Sequence, residues 1–437
     1  MKNTPALSIG LMSGTSMDGI DAALIETDGN FHIKELTHLS FSYPREVHFI
    51  LKAAEYAVHK HSGNLKNLDQ LPLNSYFLSY LTDRLALEIE ESQLLLKEAE
   101  YYLNATANCA FTIQGIELHS TQLHAQAVQK LLDCTNYPHE AIDVVGYHGQ
   151  TLFHHPANHT SIQIGSGQLL ANLTNISVVN DFRRQDVEAG GQGAPFAPLF
   201  HQALAARDNL FPLAVINCGG IANLSLIMGP SPSDVLGFDT GPGNGLIDLF
   251  VKQRTRSQEL MDMDGRYGVK GNVQQIVLDQ LYSHSILVEG MNYFDLPPPK
   301  SLDINEMRLI PELDTLSLQD GCATLEAFTA DSIVQGLCQI DPPKFLQIVL
   351  AGGGWNNPII LKELKSRVHK HLGLETVIKT ADQIGWKSQA LEAQIFAYLA
   401  VRSQRKLPIS YPNITRVPKP LTGGTLSLPN KTSAMHL

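Results

Sequence analysis

The chain has 437 residues, with 43 acidic and 32 basic side chains, and its formal net charge is −11. This acidic balance argues against a nucleic-acid partner, because binding to nucleic acids requires a basic face that neutralises phosphates. Apolar residues make up 43% of the sequence and charged residues 17%, a composition that excludes a mainly disordered protein.

No apolar run approaches the roughly 18 residues of a membrane-spanning helix, and the first residues show no export signal. The five cysteines are widely spaced and form no CxxC pair, so neither a disulfide framework nor a zinc site is predicted. These features favour a cytoplasmic enzyme without a membrane partner. The length is typical of two or three domains.

Strands and glycine turns begin near the start of the chain. Residues 7–10 and 20–26 are predicted strands, and the small polar residues between them predict a hairpin turn. Residues 71–132 have spaced apolar positions separated by Glu and Gln, which predicts a helical scaffold. Further along the chain we predict short strands at 144–146, 162–164, 176–179, 214–217, 224–227 and 345–350, a helix at 390–402, and an irregular tail from 407.

The strand, glycine turn and second strand occur twice, at 7–26 and at 214–227. This duplication predicts an α/β protein of two related lobes, with a ligand-binding cleft between them. We expect the first lobe to comprise residues 1–140 and the chain from about 390, with the helical insertion at 71–132. The second lobe would span residues 141–389.

Two glycine-rich segments have the character of phosphate-binding loops. After the first strand, Ser13-Gly14-Thr15-Ser16 places hydroxyls and backbone amides in a tight turn that can cradle phosphate oxygens. It is not a Walker A loop, because no Gly-Lys-Ser/Thr follows, and a plain hairpin turn is the alternative. Asp18 and Asp21 would repel a phosphate unless a cation such as Mg²⁺ lay between them.

Residues 237–244 form a second predicted loop, in which glycines allow close backbone approach and a helix follows. The alternative is a loop that only reverses the chain. Gly352-Gly353-Gly354 follows a buried strand, where an adenine or ribose can lie against the backbone. A packing loop at the sheet edge is the alternative there.

The best catalytic stretch follows the strand at 176–179. Asp181 ends that strand and can take a proton from water or a hydroxyl group, while the adjacent arginines can bind a substrate anion. The alternative is an Asp–Arg ion pair that only stabilises the loop. His148 and Gln150 also lie at a strand end, where ligand sites collect in α/β sheets.

Together these segments resemble the anhydro-N-acetylmuramic acid kinase family, from near residue 7 to near residue 425. The motifs that carry the resemblance are, in order, Gly10-Leu11-Met12-Ser13-Gly14-Thr15-Ser16-Met17-Asp18-Gly19-Ile20-Asp21, His148-Gly149-Gln150-Thr151, Asp181-Phe182-Arg183, Gly190-Gly191-Gln192-Gly193-Ala194-Pro195, Gly219-Gly220-Ile221-Ala222-Asn223, Phe238-Asp239-Thr240-Gly241-Pro242-Gly243-Asn244 and Gly352-Gly353-Gly354.

The family belongs to the superfamily of sugar kinases, Hsp70 and actin. The resemblance therefore implies an actin-like ATPase fold of two ribonuclease-H-like lobes that close around ATP. Asp18 and Asp239 would contact Mg²⁺ through water. The implied ATP-binding residues are Gly14, Thr15, Ser16, Met17, Asp18, Gly19, Ile20, Asp21, Asp239, Gly241, Gly243, Asn244, Gly352, Gly353, Gly354 and Asn356.

The resemblance also implies a reaction from peptidoglycan recycling. Asp181 would activate a water that attacks the anomeric carbon of 1,6-anhydro-N-acetylmuramic acid. The released O6 would take the γ-phosphoryl group of Mg·ATP, giving N-acetylmuramate 6-phosphate. A homodimer is expected, and Arg183 or Arg184 would bind the lactyl carboxylate. The implied substrate-binding residues are His148, Gln150, Arg183, Arg184 and Asp186.

The sequence departs from the family pattern in two segments. Residues 300–306 read Lys-Ser-Leu-Asp-Ile-Asn-Glu where many members have Lys-Ser-Thr-Gly-Arg-Glu, and residues 422–424 read Thr-Gly-Gly where Thr-Gly-Ala is common. Substrate contacts from these segments therefore stay open. The alternative functions are a related anhydrosugar kinase, for example one acting on levoglucosan, and an actin- or Hsp70-like ATPase switch.

Overall fold

The computed structural model describes residues 4–68, 70–85, 87–288, 290–340 and 347–430. The chain divides into two compact units. The first unit contains the described residues up to 193, residues 389–411 and those from 417 onward, and the second contains 194–388 and 412–416. No helix in these described ranges is both long enough and apolar enough to cross a membrane.

The strands of the described residues are β1 (Ala6–Ser13), β2 (Gly19–Thr27), β3 (Ile33–Ser42), β4 (Val144–His155), β5 (Thr160–Ile164), β6 (Val178–Asn180), β7 (Leu213–Cys218), β8 (Ile221–Ile227), β9 (Val235–Pro242), β10 (Leu287–Val288), β11 (Met291–Asn292), β12 (Gln347–Ala351), β13 (Val377–Thr380) and β14 (Thr425–Ser427). The α-helices are α1 (Arg45–Lys60), α2 (Asn74–Leu85), α3 (Ile89–Ala107), α4 (Ile113–Asp133), α5 (Gly167–Thr174), α6 (Arg184–Glu188), α7 (Ala197–Asp208), α8 (Gly245–Arg254), α9 (Gln275–His284), α10 (Leu318–Gln339), α11 (Pro358–Leu372), α12 (Leu391–Gln404) and α13 (Pro412–Thr415).

The first unit is built on a seven-stranded sheet with the order β14-β6-β4-β1-β2-β3, and β5 pairs with β4. Strands β1, β2 and β3 form an antiparallel meander. Strand β4 then pairs parallel to β1, and β6 pairs parallel to β4. Because the central strands are covered on both faces, β4 begins with seven consecutive buried residues.

The second unit repeats this arrangement in a five-stranded sheet with the order β13-β12-β7-β8-β9. Strands β7, β8 and β9 form the antiparallel meander, and β12 and β13 extend the sheet in parallel beyond β7. An antiparallel meander extended by two parallel strands is the arrangement of a ribonuclease-H-like core. The predicted α/β fold class with two such units is confirmed.

The chain returns to the first unit through α12, which packs on the central strands of its sheet. Two glycines make this close packing possible. A Cβ atom at Gly10 of β1 would lie 1.8 Å from the carbonyl oxygen of Ala393, and one at Gly146 of β4 would lie 2.0 Å from that of Phe396. Any larger side chain at either position would push the helix off the sheet.

Several elements differ from the sequence prediction. The first unit extends to residue 193 rather than 140, because β4 and β6 pair with β1 in its sheet. The predicted helical scaffold at 71–132, by contrast, is confirmed and consists of α2, α3 and α4. The tail that was expected to be irregular contains α13 and β14. The predicted strand at 345–350 begins at Gln347, and Phe345 and Leu346 lie outside the described residues.

Candidate active site

The turn between β1 and β2, residues 14–18, rests on the neighbouring strand β4. The carbonyl oxygen of Gly14 accepts hydrogen bonds from the Met17 amide at 3.1 Å and from Nε2 of Gln150 at 3.0 Å. Met17 has a left-handed backbone and a fully buried side chain, so it anchors the turn. Thr15 and Ser16 are exposed. The turn therefore presents two hydroxyl groups to solvent from a fixed base.

Helix α1 holds the same turn from the side. Nζ of Lys52 donates to the carbonyl oxygen of Thr15 at 2.9 Å, and Nδ1 of His48 lies 3.1 Å from the carbonyl oxygen of Met17. Lys52 also pairs with Glu55. Sequence reasoning missed this helix, because no motif links it to a turn about 35 residues earlier in the chain.

Acidic side chains gather beside this turn. Asp18 is exposed and accepts a hydrogen bond from Ser16 at 2.7 Å, whereas Asp21 is half-buried and accepts from Ser40 at 2.6 Å. Burial raises the pKa of Asp21; the charge of Asp18 adds to that effect, and the bond from Ser40 opposes it. Negative charge at this place favours a nearby cation.

Glu392, in the first turn of α12, is a further acid that the sequence analysis missed. Its side chain is accessible to solvent, yet the surrounding protein atoms displace much of its water. This desolvation and the charge of Asp21 raise the pKa of Glu392, and the Arg183 guanidinium lowers it. The start of α12 thus brings a second carboxylate into the electrostatic field of Asp21.

Asp181 follows β6 directly and has a left-handed backbone, with φ of 57°. A short aspartate tolerates this conformation better than most residues. Nε of Arg184 donates to Oδ2 of Asp181 at 2.6 Å, and the two side chains form an ion pair. Asp181 is half-buried and Arg184 is exposed. The ion pair considered as the structural alternative is therefore present, and the carboxylate also keeps contact with solvent.

Arg183 points to a different set of partners. Its Nε and Nη2 atoms lie 3.1 and 3.0 Å from Nε2 of His148, and Nη1 donates to the carbonyl oxygen of Gly193 at 2.7 Å. A guanidinium only donates hydrogen bonds, so Nε2 is the acceptor and the proton of His148 sits on Nδ1, 2.8 Å from the Gly149 oxygen. Burial and then Arg183 keep the pKa of His148 well below its usual range. The histidine is neutral.

Asp186 fixes the glycine loop at 190–193. It is buried, and Oδ1 accepts a hydrogen bond from the Gly193 amide at 2.6 Å. A Cβ atom at Gly191 would lie 2.1 Å from the same oxygen, so only glycine fits there. Among the five expected substrate-binding residues, His148, Gln150 and Asp186 are thus buried and bonded within the protein, while Arg183 and Arg184 are more open.

In the second unit, the β7–β8 turn interlocks with the chain that leaves β9. The carbonyl oxygen of Gly219 accepts from the Asn244 amide at 2.8 Å, and that of Gly220 accepts from the amides of Gly243 and Gly245 at 3.0 and 3.1 Å. A Cβ atom at Gly243 would lie 2.0 Å from the Gly219 oxygen. These backbone bonds hold the two segments in contact without any side chain.

The structure corrects the prediction that residues 237–244 are a loop, because Val235–Pro242 forms β9 and the loop is confined to the next residues. Asp239 therefore lies within a strand. Its amide donates to the Lys300 oxygen at 2.8 Å, Oδ2 accepts from the Leu302 amide at 2.8 Å, and its carbonyl oxygen accepts from the Tyr293 hydroxyl. The departure from the family pattern at 302 keeps this contact, which uses only backbone atoms of Leu302.

Asn244 precedes α8 and carries an unusual polar atom. Its Nδ2 donates to Oδ2 of Asp248 at 3.0 Å. Its Oδ1 is buried and has no hydrogen-bond partner within the described part of the chain. Burial raises the pKa of Asp248 to about 7. The start of α8 thus carries an unused acceptor on Asn244, which the family motif had singled out, and the Asp248 carboxyl group with its raised pKa, which had no sequence signal.

The triple-glycine segment leaves β12 and forms a single turn at Gly353–Asn356. Gly352 has φ of 92°, and a Cβ atom there would lie 2.6 Å from the Asn217 side chain. Around Gly353, no atom lies within 4 Å of a Cβ position. Gly352, Gly353 and Asn356 are exposed, so the segment presents open backbone to solvent.

Comparison with known proteins decides the family. A family model described as anhydro-N-acetylmuramic acid kinase matches residues 6–80 and 95–428. The chain belongs to the anhydro-N-acetylmuramic acid kinase family. The resemblance predicted from the ordered motifs is confirmed, and membership makes the chain an ATP-dependent phosphotransferase.

Relatives in this kinase family match nearly the whole chain. The chain is 36% identical to an anhydro-N-acetylmuramic acid kinase from Rhizorhabdus wittichii over 427 residues, which cover 98% of this chain and 100% of the relative. It is 38% identical to one from Methylobacterium nodulans over 429 residues, which cover 97% and 100%. One from Zymomonas mobilis is 37% identical over 420 residues, which cover 96% and 99%.

Proposed function

We propose that this kinase opens the anhydro bridge of 1,6-anhydro-N-acetylmuramic acid with water and phosphorylates the released O6. The observation that carries the proposal is Asp181, a half-buried carboxylate at the end of β6 that stays open to solvent beside Arg184. A 1,6-bridged sugar has no free 6-hydroxyl group. A base in this family therefore has no proton to remove from O6 and must act on water.

The chemical steps balance around one carboxylate. Asp181 takes a proton from water, and the water oxygen bonds to the anomeric carbon while the bond from that carbon to O6 breaks. O6 then bonds to the γ-phosphorus of ATP, and the bond from that phosphorus to the β,γ-bridging oxygen breaks. The products are N-acetylmuramate 6-phosphate and ADP, with the proton held on Asp181 until solvent removes it.

For the nucleotide, we assign the residues that the motifs predict. The phosphates would contact the β1–β2 turn with Gly14 to Asp21 in the first unit, and the stretch from Asp239 to Asn244 in the second. The open backbone of Gly352 to Asn356 suits the flat adenosine group. The exposed hydroxyls of the first turn and the exposed glycines of the third segment support this assignment.

The carboxylates present fit Mg²⁺ bound with the nucleotide. Among the residues that the structure describes, no group of three or more His, Cys, Asp or Glu side chains is suited to hold a metal ion. Mg²⁺ is commonly bound by phosphates and water together with one or two carboxylates. Asp18 and Asp239 would contact it through water, and when bound the ion would offset charge on the β- and γ-phosphates.

The lactyl carboxylate of the sugar requires a cation. Arg184 is the more exposed of the two candidates and already pairs with Asp181, while Arg183 donates to His148 and Gly193. We therefore place the lactyl group nearer Arg184. The resemblance also leads us to expect a homodimer in the cytoplasm, and light scattering after size exclusion measures the oligomeric state.

The decisive experiment is turnover in ¹⁸O-labelled water with Mg·ATP and 1,6-anhydro-N-acetylmuramic acid, followed by mass spectrometry. One ¹⁸O at the anomeric carbon of a phosphorylated product is the expected result. A phosphorylated product without label would discard the water mechanism. ADP without any sugar product would discard the substrate, and parallel turnover of levoglucosan would identify the related anhydrosugar kinase.

A further inference from the structure

The second unit contains a cavity of about 780 Å³ that the reaction does not use. Its volume lies within the range of small-molecule sites. One face of each of three helices lines it, since the lining positions recur every three to four residues along α9, α10 and α11. Two residues of β9 and two of the 294–300 segment complete the wall.

This cavity is separate from the triple-glycine segment of its unit. Helix α11 begins at Pro358, directly after the Gly353–Asn356 turn, but contributes only residues near its other end, including Arg367 and Lys370. At a rise of about 1.5 Å per residue, Lys370 lies about 18 Å along the axis from the start of the helix. The cavity therefore does not coincide with the triple-glycine segment that we assign to the adenosine group.

The cavity lies directly behind Asp239. Phe238 and Thr240 line it, and because side chains alternate along a strand, Asp239 between them points to the opposite face of β9. Lys300 lines the cavity too, and its carbonyl oxygen accepts the hydrogen bond from the Asp239 amide. A molecule in the cavity would contact the residues that hold Asp239 in place.

The charge of the lining favours an anion. Three cations, at Lys300, Arg367 and Lys370, face two carboxylates, at Asp279 and Asp331, in a chain whose net charge is −11. Arg367 is committed to ion pairs with Asp331 and Glu363. Across the described ranges Lys370 has no ion pair, and His371 and Ser366 line the cavity beside it. The side chains of Lys370, Ser366 and His371 therefore offer donors for a phosphate group, although the C-terminal end of the helix itself does not attract an anion.

The rest of the lining is suited to a sugar. Tyr282 and Phe294 meet edge to face, with ring centroids 4.7 Å apart, so they offer no parallel slot for a nucleobase. Gln275, Gln335 and Gln339 line the same cavity, and their amide groups can bond hydroxyl and acetamido groups.

We propose that this cavity binds a phosphorylated sugar of the class that the kinase produces, with its phosphate at Lys370 and its ring beside Tyr282 and Phe294. The identity of the sugar rests on the proposed function, whereas the binding of an anion in the cavity does not. Because Phe238, Thr240 and Lys300 join the cavity to Asp239, an occupied cavity changes the affinity for ATP. The reaction product thus regulates the enzyme from a second site.

The test is calorimetric titration of the full chain with N-acetylmuramate 6-phosphate, using Lys370→Glu and the matched control Lys365→Glu. Lys365 lies on the same helix, is exposed and is not part of the cavity lining. We expect two binding events in the unchanged protein. Lys370→Glu weakens one of them at least about tenfold, the effect of losing a charge-assisted hydrogen bond, while turnover without added product stays unchanged.

The outcomes separate this proposal from the proposed function. If the titration shows no event that depends on Lys370, the cavity site is wrong, whatever the enzyme phosphorylates. If the enzyme makes a different product, the active-site event is lost but the Lys370-dependent event persists. A parallel titration with AMP is expected to show no dependence on Lys370, and a Lys370-dependent AMP event of equal affinity would overturn the assignment to a sugar.

Discussion

The two units share a strand order but differ at the position of the proposed catalytic base. Strand β6 of the first unit and β13 of the second hold the same place, as the last parallel strand of the meander-based core. The residue after β6 is Asp181, half-buried beside Arg184, whereas the residue after β13 is the fully buried Ala381. The same fold thus carries a carboxylate in one unit and an inert side chain in the other.

The units also fix their glycine turns by different means. In the first unit, side chains of Gln150, Lys52 and His48 hold the β1–β2 turn. In the second, backbone bonds join Gly219 and Gly220 to residues 243–245. A single substitution removes only one of the several side-chain bonds that hold the first turn, so its effect on stability is small. In the second unit, a Cβ atom at Gly243 would collide with the Gly219 oxygen, so its effect is larger.

The substitution with the largest expected effect removes the carboxylate that distinguishes the first unit from the second. Asp181→Asn keeps an acceptor for Arg184 but removes the base, so we expect kcat to fall at least about 100-fold, the usual contribution of a general base. Steady-state turnover measures it. Glu188→Gln, an exposed change on the helix that follows, is the control and should stay within about twofold. Full activity of the asparagine variant would move the base elsewhere, with Glu392 as the next carboxylate to test.

The second substitution disrupts the close backbone contact between Gly243 and Gly219. A Cβ atom at Gly243 would meet the Gly219 oxygen at 2.0 Å, so we expect Gly243→Ala to destabilise the protein by about 1–3 kcal/mol in thermal or urea unfolding. Gly219→Ala is the matched control, because its Cβ atom would lie 3.9 Å from the carbonyl oxygen of Ile221, an ordinary van der Waals contact. Equal stability of the two variants would contradict the backbone interlock.

A third prediction concerns a buried acid behind the triple-glycine segment. Glu326 on α10 is fully buried, and its Oε1 accepts from Asn357 at 2.6 Å. Its Oε2 finds no donor among the described residues. Asp262, whose charge acts on Glu326, accepts hydrogen bonds from the amides of Tyr267 and Gly268. Burial, with a smaller effect of Asp262, raises the pKa of Glu326 to about 8. The folded protein therefore holds a proton that the unfolded chain releases.

The sign of the pH dependence follows from that raised pKa. The stabilising contribution is complete below the unfolded pKa of about 4.3 and is lost as the pH rises towards the folded value, at up to about 1.4 kcal/mol per pH unit. Glu326→Gln removes this loss of stability. In unfolding experiments, the free energy of unfolding of the variant minus that of the unchanged protein should therefore grow from about pH 6 to about pH 8. The exposed Glu375→Gln is the control, and parallel curves for all three proteins would refute a protonated Glu326.

Sequence reasoning succeeded where local structure depends on residues that are close together along the chain. The β1–β2 hairpin, the aspartate at the end of β6 and the glycines after β12 all lie beside a strand whose apolar run is visible. It failed for β9, because glycine and proline at Gly237, Gly241 and Pro242 are typical of loops. In the sheet, pairing with β8 overrides that local preference.

It also failed where the candidate site depends on contacts between distant segments. Lys52 and Glu392 reach the site from α1 and α12, and nothing in their local sequence relates them to the first turn. His148 was expected to touch substrate because it lies in a family motif and was predicted at a strand end, yet it lies within β4 (Val144–His155) and its ring nitrogens are used by Gly149 and Arg183. A motif indicates that a residue matters, but burial and hydrogen-bond partners decide whether it contacts ligand or positions a neighbour.

The smallest expected effect tests the side-chain control of the first turn. Gln150→Leu removes the bond to the Gly14 oxygen, and it also removes Oε1, a buried acceptor without a partner in the described ranges. The Gly14 oxygen keeps its bond from the Met17 amide, and the unpartnered acceptor is lost with the donor, so we expect the stability to change little. Loss of the bond frees the turn, so we expect the KM for ATP to rise about 2- to 10-fold, with a smaller change in kcat.

The matched control is Gln163→Leu on the paired strand β5, whose amide bonds Ser161 and Thr151 rather than the turn. Its KM for ATP should not change. If Gln150→Leu lowers the stability by several kcal/mol while KM stays constant, Gln150 supports the sheet and not the turn. If neither value moves, Met17 and helix α1 suffice to hold the turn, and the bond from Gln150 to the Gly14 oxygen is redundant.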